Sequence, residues 1–133
     1  MWTAETVLVC ALTLLHRSVD SFPPIELVAA RPFDVSANAE GYVRRGEDRI
    51  YVITATAAFT QARRSIHRCG DLQAIRKIAS VLVHEEWHVR HGPDEGEAYQ
   101  AQLGALIRLD AGPGNPLYTD VRRAMHAVRR AVK

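Results

Sequence analysis

Apolar positions along this chain follow a helical period at both ends and a strand period between them. Behind Thr3 and a first turn holding Glu5 and Thr6, apolar residues fall at 7, 8, 11, 12, 14 and 15, which predicts an N-terminal core helix. Ser21-Phe22-Pro23-Pro24 breaks it, and Ile25-Glu26-Leu27-Val28 then suits a short strand. An irregular connection runs from Arg31 through Asn38. Gly41 to Arg44 and Arg49 to Thr54, β-branched and aromatic, flank Arg45-Gly46-Glu47-Asp48 as the arms of a hairpin. Helical composition returns over Ala55 to Ser65, and His67 to Gly70 interrupts it.

The longest helical pattern follows. Asp71 is placed to cap it, Leu72, Ile75, Ile78, Ala79, Leu82 and Val89 form its apolar stripe, and Gly92-Pro93 ends it. A further helix is expected from Glu97 to Leu109, starting at Asp94 or Glu95 and stopped by Ala111 to Pro116. In the last one Thr119 can serve as cap, with Val121, Met125, Val128 and Val132 at helical spacing. The fold class expected is α+β: a small domain over residues 1–133 with an N-terminal helix, a short hairpin or sheet, the long helix and two C-terminal helices.

The long helix carries the chemistry. His84-Glu85-Glu86-Trp87-His88 places two imidazoles four residues apart, about 40° from each other around a helix and one turn along it. One tetrahedral Zn²⁺ can meet both. Glu85, turned about 100° from His84, is a poor ligand but can reach a water on the metal, where a general base belongs. Two histidines and a glutamate on a partly buried helix would be costly without such a partner.

A catalytic zinc takes three protein ligands and keeps one position for water. Three acids just downstream compete for the third place. Glu97 sits on the next helix, where a turn at Gly92-Pro93 can fold it back; Asp94 reaches if the chain loops beneath the helix; Glu95 is intermediate. His91 lies one turn past His88, either as an extra ligand or as an exposed histidine favoured by the helix C-terminus. Tyr99, Tyr118 and His126 are unranked candidates for stabilising an oxyanion.

His84-Glu85-Glu86-Trp87-His88, followed by Glu97-Ala98-Tyr99-Gln100-Ala101, resembles the gluzincin branch of zinc metallopeptidases, over roughly residues 42 to 109. The resemblance implies a minimal gluzincin: a zinc metallopeptidase cutting peptide bonds, with His84, His88 and Glu97 as ligands and Glu85 as general base. It also implies that the strand Ile50, Tyr51, Val52 and Ile53 lies along the cleft as an edge and pairs with an extended peptide. One departure stands out. Some gluzincins place an Asp four residues after the ligand Glu, where this chain has Ala101, so the groups that orient the histidines are unassigned. Under the related metzincin pattern the third ligand falls on Asp94, the runner-up. The alternative function is a zinc-binding interaction module without catalysis.

Charge and cysteines narrow the partners. With 17 basic and 15 acidic residues the net charge is only +2, and the arginines at 122, 123, 129 and 130 read as a solvated helix face, so nucleic acid is not expected. The apolar run from Val7 to Leu15 is too short to cross a bilayer and lacks a basic segment before it, which predicts a cytoplasmic protein without membrane partners. Cys10 and Cys69 are expected as two buried free thiols in a reducing compartment, with a single Cys10–Cys69 bridge as the alternative. The expected partner is a peptide or protein substrate; oligomeric state is not written in the sequence.

Overall fold

The computed structural model describes residues 1–131. Helix α1 (Ala4–Leu14) begins where the Thr3 hydroxyl accepts from the Thr6 amide, and it buries Val7, Leu8, Cys10, Ala11 and Leu12. A single 3₁₀ turn (Val19–Ser21) leads to strands β1 (Ile25–Val28), β2 (Gly41–Val43) and β3 (Ile50–Ile53). Helices α2 (Ala57–Arg64), α3 (Leu72–His91), α4 (Glu95–Arg108) and α5 (Pro116–Ala131) complete the described residues as an α+β fold. Asp71 caps α3, accepting from the Ala74 amide.

Helix α3 is the element the others are built on. It packs against α1, α2, β2, β3 and α4, while α4 packs in turn on α5. One apolar cluster joins α1, α2, β3 and the first half of α3 through Val7, Ile50, Phe59, Ile75, Ile78 and Leu82. A smaller one, with Leu103, Leu106, Val121 and Met125, ties α4 to α5. The metal motif occupies the last turns of α3, past the larger cluster.

Four sequence expectations are corrected. Ile50 to Ile53 is not an edge strand: the sheet order is β1-β3-β2, with β1 parallel and β2 antiparallel to it. Its ladder partners are taken on both sides and Ile50, Val52 and Ile53 are at most 1% exposed, so β3 has no backbone left for a peptide. Cys10 and Cys69 are bonded to each other, and among the described residues no thiol is free. The bond removes the thiol argument for a reducing compartment. Helix α5 starts three residues before Thr119, because the Asn115 side chain accepts from the Leu117 amide and Pro116 supplies a fixed φ at the first position. Leu72, placed in the apolar stripe, lies in the first turn of α3 and is exposed. Val132, the last apolar position expected on α5, lies outside the described residues.

Candidate metal centre

The helical period does for His84 and His88 what the spacing predicts. Their rings stand one turn apart with centroids 5.0 Å from each other, and both side chains are largely buried. Gly92 then stops α3 with φ of 106°, and its amide donates back to the His88 carbonyl. The carbonyl of Gly92 accepts from Nδ1 of His88 at 2.8 Å. One glycine therefore ends the helix and holds a ring.

Only Gly92, Pro93 and Asp94 separate α3 from α4. The Asp94 carboxylate is spent on capping α4, where it accepts from the Glu97 amide at 3.1 Å. Glu95 takes the first helical position and turns back onto the motif. Its Oε1 lies 2.9 Å from Nε2 of His84 and in direct contact with Nε2 of His88. Glu97, two residues on, is rotated about 200° from Glu95 and is exposed. The acid that meets both histidines is therefore Glu95; Glu97, expected as third ligand, and Asp94, its runner-up, do not make that contact.

Proton positions decide what this meeting requires. A backbone carbonyl only accepts, so His88 carries a proton on Nδ1, and in the neutral ring Nε2 presents a lone pair. Nδ1 of His84 is 2.9 Å from Oε1 of Gln102, which also accepts, so in the neutral ring Nε2 of His84 is free in the same way. Two lone pairs and a carboxylate oxygen converge on one point. Positive charge is favoured among them, supplied either by a proton on an imidazole or by a metal ion, and two imidazoles with a carboxylate suit a divalent metal. With a proton as the cation, the groups ionise as an acid–base pair. Burial works to raise the Glu95 carboxyl, but hydrogen bonds with His84 and His88 outweigh it and hold the group down at about 2. For His88 burial acts downward, and the contacts to Glu95 and the Gly92 carbonyl win, favouring positive charge here.

No protein-family model, curated protein or solved structure matches the chain. The site therefore stands on its own geometry. Ligand atoms of His84, Glu85 and His88 lie within 4.8 Å of one another, a group that can hold a metal ion. Of the two nearby carboxylates, Glu95 is the one in hydrogen-bond contact with both rings, and Glu85 flanks them. Burial pushes the Glu85 carboxyl up to about 7, against the opposing pull of His84 and His88. Gly41 of β2 rests directly on this side chain: a Cβ there would come within 3.1 Å of both Glu85 Cγ and the Tyr51 carbonyl.

A cleft of about 290 Å³ opens beside the donors, walled by Glu40, Gly41, Lys77, Tyr99 and Asp120 and floored by His84, Glu85 and Glu95. Of the three oxyanion candidates only Tyr99 is here, its ring edge-on to His84 at 4.6 Å. Tyr118 and His126 line a separate depression on α5. His91 is exposed, with its ring centroid 5.0 Å from that of Trp87. Two residues went unseen in the sequence: Gln102 and, behind it, Ser80. The signal was present, since Glu95, Tyr99 and Gln102 recur at i, i+4 and i+7 and so share one face of α4.

Proposed function

We propose that this chain is a zinc-dependent metallopeptidase of gluzincin-like construction, with His84, His88 and Glu95 as ligands and Glu85 as general base. The observation that carries the reading is the convergence of both Nε2 atoms and Glu95 Oε1 on one point, with Glu85 beside it and a cleft in front. Zinc, when bound, supplies a Lewis acid and brings the pKa of its water to about 7.

The chain's own residues do the rest. Gly92 and Gln102 hold the rings so that both Nε2 atoms face the donor point. Glu85, buried beside the donors, takes a proton from the attacking water and returns it to the leaving amide nitrogen. Tyr99, which lines the cleft against His84, is the residue we assign to the developing oxyanion. An extended substrate would lie along β2, which pairs with β3 on one side only and whose Gly41 lines the cleft, in place of the buried β3.

Glu85→Gln tests the reading. The variant should keep one zinc per chain, while hydrolysis of a mixed fluorogenic peptide library falls by about 10² to 10⁴. A zinc-loaded wild type that cuts nothing in the library, or a variant that cuts as well as the wild type, overturns the enzyme and leaves a metal-binding module.

A further inference from the structure

Behind His84 runs a chain of polar groups with a direction. The Lys77 carbonyl can only accept, and the Ser80 hydroxyl donates to it at 2.8 Å. That leaves the Ser80 oxygen as acceptor, and Nε2 of Gln102 donates to it at 3.0 Å. The amide so oriented turns Oε1 toward His84, 2.9 Å from Nδ1. Ser80 is fully buried and Gln102 is 4% exposed, so each depends on the other for its partner.

An amide is symmetric in shape but not in chemistry. Turned over, Gln102 would present N–H to Nδ1 of His84, which must then give up its proton and carry it on Nε2. That nitrogen is the one facing Glu95, and a protonated Nε2 cannot ligate a metal. Nothing in the shape of the pocket distinguishes the two orientations; the hydroxyl of Ser80 does.

We infer that Ser80, which touches neither donor point nor cleft, is a positioning residue that sets metal affinity by fixing the orientation of the Gln102 amide and through it the tautomer of His84. The inference rests on the metal reading above. It also explains why a neutral amide can occupy the place behind a ligand histidine where a carboxylate would need no such lock. A carboxylate has no N–H to present, whichever way it turns.

The test is a zinc titration against a chromophoric chelator, using the wild-type chain, Ser80→Ala, Gln102→Leu and the double variant Ser80→Ala/Gln102→Glu. Ser80→Ala and Gln102→Leu should each weaken zinc binding by roughly tenfold or more, the range for groups that orient a ligand. The double variant should recover the loss, since a carboxylate at position 102 accepts from Nδ1 without help from residue 80. Unchanged affinity in Ser80→Ala overturns the inference. So does a loss that the Gln102→Glu change fails to recover, which would mark Ser80 as a packing residue. A wild type that binds no zinc instead removes the proposed function itself, and the titration reports that separately.

Discussion

Glu95 and Glu97 are both glutamates in the first turn of one helix, yet only the first can reach the histidines. Position along the turn decides it: the Asp94 cap fixes where α4 begins, and the side chains at its first and third positions point about 200° apart. A similar precision applies at Gly92. Its φ of 106° with ψ of −161° lies where a Cβ is strained, although no neighbouring atom would obstruct one. Gly92→Ala should therefore cost about 1 to 3 kcal/mol in thermal or urea unfolding. It should also weaken zinc binding, because the carbonyl that holds His88 moves with the strained residue. An alanine variant with unaltered unfolding and unaltered zinc affinity would show that the turn has slack the present geometry does not suggest. His84, Glu85 and His88 were legible in the sequence because a helix fixes their relations within one turn. The third donor was not, since its direction depends on how a three-residue connection bends. Gln102 was hidden for a further reason: its meaning appears only when α4 packs against α3.

At the scale of elements, the helices were readable from their caps and apolar periods, as Thr3 and Asp71 show. The hairpin was readable too, since its arms and turn are contiguous. Sheet order was not. The pairing of Ile25 with Ile50 spans a long stretch of chain, and that parallel ladder converts the expected edge strand into the central one. The Cys10–Cys69 bond is likewise a long-range fact, joining α1 to the residues just before α3 across 59 positions of sequence. Closing a loop of that length should stabilise the fold by about 2 to 4 kcal/mol, so Cys10→Ala/Cys69→Ala should unfold at correspondingly lower urea. Reductant should bring the wild type down by a similar amount and leave the variant unmoved. Two titratable thiols in the chain purified without reductant would contradict the bond.

For the molecule as a whole, the candidate centre draws on elements held by two separate apolar clusters. The larger one anchors α3 and the sheet, the smaller one anchors α4 and α5, and the cleft lies between the sheet edge at Gly41 and the α5 residue Asp120. His84 and His88 come from α3 and Glu95 from α4, so bringing the three side chains together depends on how α4 seats against α3. Metal binding should accordingly be coupled to folding, as it is wherever a site exists only in the folded state. Among the described residues no helix is long and apolar enough to cross a membrane. The most direct measurement is a side-by-side zinc titration of Glu95→Gln and Glu97→Gln. Removing the acid that faces both imidazoles should weaken binding at least about a hundredfold, beyond what orienting groups contribute, while the exposed acid two residues later should be silent. Equal affinities in the two variants, or a loss confined to Glu97→Gln, would contradict the account.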